Sequence, residues 1–555
     1  MSLRRLLHTV RYLRYQQILG QVRSRLNLWY EKQEAFNDKF APAYAGCRWC
    51  PVTEFLPPGL QHNSAAKILT GQLCFLNNMQ NTGWPPKWNC DNLPKLWQYN
   101  LHYCDYLWGL DYEHAKLLAW DWITNYPLKK AQIGWQGYPA SLRLTNFCAI
   151  FFGKYRKQTE ADTVFLRKLW GSIYVQAEWL TKHLEIHLLG NHLFENGAAL
   201  AFAGSCFAGR AADKWLRKGI RILAKEIPEQ VLNDGTHFEL SPMYHCRITY
   251  LLAMLLNTNH PQLVTLTKEP LKKMVNALRH ITHPDGRIAL LNDSAFGIYN
   301  APAQLVYYAG NFFEIDNAGT GNFTLPEAGY YGFRDDKGTY VICDAARIGP
   351  DYIPGHAHAD IFSFELSLKG QRVIVDSGVY NYETGQMRQY CRATKAHNTV
   401  EINGQDQCEM WAAFRVGRRG RPHNIKWIAG EDGFELSAWH DGYKRQKGGC
   451  VHYREFNWNK AGKLIVRDII TASKPQSIIS RVHLHPNCKI DHLKDSTVRV
   501  AYPEGYFRIS FSGNGNLSLE DSYYCPEFGV KIPNKALAFS FSGCKTEAGF
   551  QIEAL

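Results

Sequence analysis

The sequence predicts a multidomain chain with an all-α module followed by an antiparallel β-sandwich. Two changes of pattern predict it. Residues 96–326 carry apolar positions at helical spacing, with no strand-like alternation between them. Residues 327–555 switch to short alternating and β-branched runs separated by turn signals. A third observation concerns residues 1–95, a leader in which a basic helix runs into a Pro- and Trp-rich stretch with FLPPGL and WPPKW. Prolines at that density predict extended chain wrapped on the rest.

The helical segments are LHYCDYLWGLDYEHAKLLAWDWITNY, YPASLRLTNFCAIFFGKY, ADTVFLRKLWGSIYVQAEWLTKHL, NHLFENGAALAFAGSCF, AADKWLRKGIRILAKEI, PMYHCRITYLLAMLLN and LTKEPLKKMVNALRHITH. With only short Gly, Asn, Pro and Asp breaks between them, they pack as a bundle or as a toroid of helical hairpins. The strand-like runs are GTYVICDA, DIFSFELSLKG, QRVIVDSGVY, HNTVEING, KLIVRDIITA and SIISRVHLH. They fit a β-sandwich of about 200 residues.

Composition narrows the function. The 555 residues are 45% hydrophobic and 20% charged, which excludes a largely disordered chain. No run is apolar and long enough to predict a membrane-spanning helix. Lys and Arg number 63 against 50 Asp and Glu, a net charge of +13. That balance suits an anionic partner: nucleic acid, anionic lipid or an acidic polysaccharide. Sixteen Trp and 30 Tyr supply rings that stack on sugars or fill a large core.

The 15 cysteines are scattered except for Cys47 and Cys50 in CRWC, and no second pair completes a zinc site. The N-terminus, MSLRRLLHTVRYLRYQQILGQVRSRL, lacks the apolar core of a secretory signal, so the sequence reads as cytoplasmic with free thiols. Its basic, amphipathic character also fits peripheral contact with an anionic membrane.

The densest chemistry is GHAHAD, with His356, His358 and Asp360. Asp376 and His397 follow, and imidazoles with carboxylates make a candidate Zn²⁺ set. Strand histidines that only cap hydrogen bonds are the bland alternative. A two-residue turn at Lys369-Gly370 would set Asp376 opposite Ser363 rather than His358, so the histidine segment must be a loop folded back over the sheet.

In the helical half, Asn191 and His192 open a helix, where Asn191 is either an N-cap or a polar site residue. In FELSPMYH, Ser241 reads as N-cap and Pro242 as the first helical residue, leaving Tyr244 in the first turn. There the helix dipole favours a phenolate, fit for acid–base work, although core packing explains a tyrosine equally well. Arg388 and Arg392 are four apart, and Arg143 and Asn146 are i,i+3 on a helix. Each arginine can clamp a carboxylate or sulfate, or form an ordinary salt bridge.

Taken together, Asn191-His192, Tyr244, His356-Ala-His358-Ala-Asp360, Asp376-Ser-Gly and Arg392-Ala-Thr-Lys-Ala-His397-Asn398 resemble the bacterial heparinase II/III family of polysaccharide lyases. The resemblance spans residues 95–480 and is strongest at 355–400. It implies an (α/α) toroid ahead of the sandwich, and β-elimination on a uronic-acid-containing anionic polysaccharide rather than nucleic acid. It assigns Asn191, with His192, to the uronate carboxylate. Tyr244 becomes base, acid or both, depending on the C5 epimer, and His356 the second acid–base group. His358, Asp376 and His397 would hold a structural Zn²⁺, and Arg143, Asn146, Arg388 and Arg392 would bind substrate. Family members are often exported, which implies a periplasmic site. The basic leader resembles members that make or trim bacterial surface polysaccharides.

Two other readings use the same residues. A toroid glycoside hydrolase needs two carboxylates about 5–9.5 Å apart, for which Glu195, Asp234 and Glu239 are candidates. A non-catalytic glycan-binding protein of polysaccharide assembly needs none. A metal-dependent hydrolase built on HxHxD is a third option. The lyase reading sets a geometric condition: Tyr244 and His356 must meet at one sugar across the seam between the modules.

Overall fold

The computed structural model describes residues 3–25, 36–59, 63–129, 132–316, 319–431 and 433–555. Its helices are α1 (Leu3–Val10), α2 (Tyr15–Arg25), α3 (Ala65–Leu69), α4 (Lys95–Tyr103), α5 (Tyr112–Asn125), α6 (Gly137–Cys148), α7 (Arg156–Ala161) and α8 (Thr163–Lys182). They continue with α9 (Gly190–Cys206), α10 (Arg210–Gln230), α11 (Pro242–Asn257), α12 (Pro261–His280), α13 (Pro302–Ala309) and, inside the β-half, α14 (Gln386–Arg392).

The ring has two rows. Helices α4, α6, α9 and α11 neighbour one another on the inside, and α5, α8, α10 and α12 on the outside. Sequence dictates the split. Every residue of α6 and α11 is buried, and in α9 only His192 is partly exposed. Helices without a polar face belong inside. By contrast α10 buries one stripe, Ala212, Trp215, Leu216, Gly219, Leu223 and Ile227, and turns its lysines and arginines outward. Two glycines bring the rows together: a Cβ on Gly219 would lie 2.4 Å from Ala201 N, and one on Gly204 would lie 2.3 Å from Leu216 N.

The β-half has two facing sheets. The first is an antiparallel meander, β3 (Gly321–Leu325), β4 (Tyr330–Arg334), β5 (Tyr340–Asp344), β6 (Phe364–Leu368) and β7 (Gln371–Ile374). The second contains β8 (Val400–Ile402), β11 (Pro422–Ala429), β12 (Phe434–His440), β13 (Val451–Asn459), β14 (Lys463–His483), β15 (Lys489–Lys494), β16 (Thr497–Tyr502), β17 (Gly505–Gly513), β18 (Gly515–Tyr524) and β19 (Ile532–Ala554). Its main path runs β11-β12-β13-β14-β19-β17-β16-β15, with β8 on β14 and β18 on β19. A short ribbon, β9 (Met410–Trp411) with β10 (Arg415–Val416), sits apart.

Strand β6 explains how the layers stack. It is buried on both faces. Phe364 and Leu366 enter the sandwich core, where the Phe364 ring lies 6.0 Å from those of Phe456 and Phe550. Glu365 and Ser367 point the other way, onto the helical ring, where His283 bonds Ser367 Oγ through Nδ1 (2.8 Å) and Glu365 through Nε2 (3.0 Å). Tyr330 OH on Leu240 O (2.7 Å) and Tyr340 OH on His280 O (2.6 Å) add to this seam.

Three expectations change. The sandwich begins at β3, ahead of the expected boundary at 326, because Gly321–Leu325 pairs fully with β4. KLIVRDIITA and SIISRVHLH are not two strands but the two halves of β14; it carries a register shift between Thr471 and Gln476 and stays paired with β19 on both sides. The leader departs in detail: its basic helix is broken into α1 and α2, and the stretch after it is not all extended but contains α3 and a hairpin, β1 (Gln72–Phe75) with β2 (Asn78–Asn81). Its Pro/Trp stretch does wrap the ring: Trp49 packs on Phe202 (4.6 Å) and donates to Ser205 Oγ (2.9 Å).

Helices α1 and α2 cross the seam. Thr9 Oγ1 donates to Val416 O (3.2 Å) on the β side, while Arg14 pairs with Glu229 (3.1 Å) on the ring. Among the described residues no helix is long and apolar enough to cross a membrane.

Glu365 accepts from His283 Nε2, Leu290 N and Asp376 N, each at 3.0 Å. Burial pushes its carboxyl up, but the His283 bond, Arg372 and the Asp376 amide outweigh burial and hold it below the ordinary range. Glu365→Ala, leaving these donors buried and unpaired, is expected to cost about 3–5 kcal/mol, read from the urea midpoint. Because the folded-state pKa is depressed, that stabilisation is full above the unfolded glutamate pKa of about 4.3 and is lost as pH falls through the lower folded value. The stability gap between wild type and variant should therefore close below about pH 4.

Candidate active site

A cavity of about 680 Å³ opens where the ring meets the sandwich. The ring contributes Tyr99, Tyr138, Asn191, His192, Tyr244 and Tyr299 to its wall, and the β-half contributes Tyr352, His356, Tyr382 and Phe414.

Tyr244 sits where the sequence placed it. Ser241 caps α11, its Oγ accepting from Tyr244 N (3.3 Å), and Pro242 follows as the first helical residue. The Tyr244 ring stacks on the His356 imidazole at 4.0 Å and 28°. A residue of the helical ring and one of the β-half thus meet face to face across the seam. The phenolate expectation is corrected. Burial above all, with Tyr382, Tyr299 and Tyr138 nearby, raises the Tyr244 pKa well above its ordinary value, so the resting phenol keeps its proton. Desolvation outweighs the helix dipole.

His356 lies between two acids. Nδ1 is 3.0 Å from Asp293 Oδ2, and Nε2 is 3.4 Å from Glu239 Oε2. Glu239 in turn holds Asn191, accepting from its backbone N (2.8 Å) and its Nδ2 (2.9 Å to Oε2). Asn191 is therefore not the N-cap of α9. That position falls on Leu189, at φ +64°, and Glu239 satisfies the open helix end from outside. Gly190 must be glycine for this geometry: its φ is +54°, and a Cβ would stand 2.4 Å from Glu239 Oε1. His192 Nδ1 lies 3.2 Å from Glu185, and its ring packs on Tyr138 at 4.7 Å. Burial disfavours its charged form, yet Glu185, then Glu239 and Glu195, outweigh burial and raise its pKa.

Asp293 is the residue that sequence reasoning missed. Its carboxylate meets His356 Nδ1, His358 Nε2 (2.9 Å) and both terminal nitrogens of Arg388 (Nη2 to Oδ2, 2.8 Å). Burial pushes its pKa up, but Arg388 first, then His356 and His358, drive it well below the usual range. Neighbouring Asn292 accepts from His358 N (2.9 Å) and donates to Leu240 O (3.0 Å). No spacing in the sequence links this LNDS turn to GHAHAD; only the adjacent Asn and Asp in a loop hint at a turn with exposed hydrogen-bonding side chains.

The arginine expectations are corrected. Arg388 is occupied by Asp293. Arg392 braces backbone, donating to Ala357 O (3.1 Å), Ala412 O (3.0 Å) and Ala413 O (3.2 Å). Arg143 lies behind the wall, donating to Gln176 (2.9 Å), His102 O (3.1 Å) and Gly134 O (2.7 Å) beneath the Trp122 ring. Asn146 reaches the cavity, but its amide is held by Trp108 Nε1 and Tyr103 O. All four are positioned by protein partners, although Arg143 keeps one buried donor, Nη2, without a hydrogen bond.

The expected metal set does assemble. His358, Asp376 and His397 are fully buried and offer ligand atoms within 4.8 Å of one another. His358 Nδ1 and His397 Nε2 have no hydrogen-bond partner. Their other nitrogens are fixed, His358 Nε2 by Asp293 and His397 Nδ1 by Asp376 Oδ2 (2.7 Å). Two buried imidazole nitrogens without partners beside a carboxylate fit a Zn²⁺ ion, with Asp293 orienting one ring from behind. The Lys369-Gly370 turn forms with both residues at positive φ, a bulge then shifts the register, and GHAHAD is a loop over the sheet, as the turn required. CRWC is not a metal pair: Cys50 is exposed, and Cys47 Sγ lies 3.8 Å from Cys206 Sγ.

A helical toroid seated on a β-sandwich, with a tyrosine–histidine pair at the seam, defines a class of two-module proteins with an interdomain cleft. Comparison with known proteins places the chain within it. Heparinase II/III N-terminus matches residues 112–314, and Heparinase II/III-like, C-terminal matches residues 317–552. The chain belongs to the heparinase II/III family. It is 28% identical over 319 residues to a heparin-sulfate lyase of Pedobacter heparinus, covering 52% of this chain and 47% of that protein. With a heparin-sulfate lyase of Bacteroides stercoris it shares 29% over 275 residues, covering 42% and 40%. The chain thus matches less than half the length of these relatives. The crystal structure of heparinase III superposes with a TM-score of 0.69 at 18% identity, covering 85% of this chain and 79% of that one. A heparan sulfate lyase from Pedobacter heparinus gives 0.60 at 21%, covering 96% and 87%.

Asp293→Ala would leave Arg388 and two histidines buried without their shared acceptor. The expected cost is about 3–5 kcal/mol, and amide hydrogen exchange should accelerate in residues 355–360 before the rest of the sandwich.

Proposed function

We propose that the protein is a polysaccharide lyase that cleaves a uronic-acid-containing anionic glycan by β-elimination. The observation that carries this reading is the stacked Tyr244–His356 pair at the seam. The heparin-sulfate lyases among its relatives support it.

The reaction sets three demands. The C5 proton of a uronate is weakly acidic, so its carboxylate must be neutralised, a base must stand at C5, and O4 must receive a proton. Asn191 supplies the amide for the carboxylate, its plane fixed by Glu239. His192, whose raised pKa favours the charged form, adds positive potential beside it. His356, oriented through Nδ1 by Asp293, takes the C5 proton. Tyr244, protonated at rest, gives its proton to O4. The C5–H and C4–O4 bonds break, and the electron pair becomes a C4–C5 double bond. For the C5 epimer that turns its hydrogen toward Tyr244, the tyrosine must serve as both base and acid, after first yielding its proton.

His358, Asp376 and His397 would hold Zn²⁺ as a structural ion. Once bound, the ion would pin the GHAHAD loop to the sheet and so fix His356 two residues away. The ligands' complete burial supports this role over a catalytic metal, which needs an open coordination position.

The alternatives fit less well. Glu195 is locked in a buried bidentate pair with Arg247 (2.7 and 2.9 Å). Asp234 accepts from Glu327 N (2.8 Å) and Ala328 N (2.9 Å), and Glu239 is held by Asn191. No two of these carboxylates are free to face each other across the cavity, as a hydrolase requires.

Incubation with a panel of uronate polysaccharides should yield unsaturated products, seen by their ultraviolet absorbance. Tyr244→Phe and His356→Ala should each lower the rate by about 10²–10⁴-fold, with melting temperatures near wild type. Turnover without unsaturated product would overturn the lyase assignment. His358→Ala should lower bound zinc and the melting temperature together; full zinc content with an unchanged melting curve would refute the metal assignment.

A further inference from the structure

The α1–α2 hairpin has its polarity inverted. In α2 the residues facing the protein are Gln17, which donates to Tyr352 O (3.1 Å), and Gly20. Gly20 packs so tightly that an added Cβ would lie 2.6 Å from His187 Cβ. The apolar residues facing solvent are Tyr15, Ile18, Leu19 and Val22, one helical stripe at i, i+3, i+4 and i+7 with exposed Gln16 beside it. Their exposures are 75%, 38%, 43% and 45%. On α1, Leu7 (60%) and Val10 (39%) are exposed beside Arg4 and Arg11.

A surface helix ordinarily turns such a stripe toward the core. Here the helix cannot roll to do so, because Gly20 is the only residue type that fits against His187 and Gln17 is anchored on Tyr352. Among the described residues nothing covers the stripe. Charge selects the occupant. Residues 1–26 contain no acidic residue; Arg5 and Arg14 are paired with Glu409 and Glu229, which leaves Arg4 and Arg11, among the described residues, as the exposed cations beside the stripe. A second copy of this hairpin would bring like charges together, whereas an anionic surface complements them.

We propose that the outer face of α1–α2 docks on an anionic lipid bilayer. Leu7, Ile18, Leu19 and Val22 enter the headgroup–acyl boundary, and Arg4 and Arg11 meet the headgroups. The inner side of the same hairpin lines the cleft through Thr9, Leu13 and Gln17, so docking sets the cleft beside the membrane surface. The proposal is independent of the chemistry assigned to Tyr244 and His356.

The 555-residue chain can be sedimented with vesicles of phosphatidylcholine alone and of phosphatidylcholine mixed with phosphatidylglycerol, at low and high salt. The expected result is pelleting with the anionic vesicles only, weakened by salt. Arg4→Ala and Arg11→Ala should each reduce binding roughly fivefold. The double variant Ile18→Glu/Leu19→Glu should abolish it while leaving the melting curve unchanged, and Leu7→Ser on the other helix serves if that variant fails to fold. Absence of pelleting, equal pelleting with neutral vesicles, or variants that pellet like wild type would each overturn the proposal. So would concentration-dependent self-association removed by the same variants without vesicle binding, which would give the stripe to a second copy.

Discussion

The cleft depends on one buried carboxylate meeting three cationic or imidazole partners. Asp293 comes from a loop of the helical half, yet all its partners, His356, His358 and Arg388, come from the β-half. Removing a carboxylate from water costs several kcal/mol unless its lone pairs are filled, and here charge-assisted bonds fill them. The same residue thereby orients His356, turns the free nitrogen of His358 toward Asp376 and His397, and ties α14 to the seam. The placing of the proposed acid–base pair, the metal candidate and the module interface all follow from one interaction.

Electrostatics divides the site into two sides. Around His356 and Asn191 stand Glu239 and Asp293, both buried and both engaged. Opposite them is a wall of phenols, Tyr138, Tyr244, Tyr299 and Tyr382, whose pKa values burial raises. Such a wall offers neutral donors at rest, suited to protonating a leaving oxygen. Of the formal net charge of +13, Arg143, Arg388 and Arg392 present none of their donors to the cavity: Asp293 neutralises Arg388, and Arg143 and Arg392 donate to neutral groups of the protein. Part of the excess lies instead on the N-terminal hairpin, which explains why composition alone could not assign the partner.

Much of the fold was legible in the sequence because it follows from periodicity. Apolar positions at helical spacing marked the helices, whereas their division into an inner row with α6 and α11, buried all round, and an outer row with amphipathic α10 and α12 came from the structure. Turn chemistry was equally readable: Ser241-Pro242 starts α11 and Lys369-Gly370 closes β6 onto β7. The union of KLIVRDIITA and SIISRVHLH into β14 was not readable, since continuous pairing with β19 carries the strand across the irregular stretch between Thr471 and Gln476.

By itself the sequence determined the order of modules, the helix start that presents Tyr244, the loop carrying His356, and a wider set of candidate ligands that only the family resemblance narrowed to His358, Asp376 and His397. These are local properties, set by capping, spacing and residue type. Only the tertiary structure decided which charged groups are free. It assigned Asp293 and Glu239 to hold the site, withdrew the arginines from it, reversed the expected ionisation of Tyr244, and turned the apolar stripe of α2 outward. The reason is that burial and partnership depend on residues far apart in the chain, such as Asp293 with Arg388 and Gly20 with His187, and no local pattern encodes those encounters.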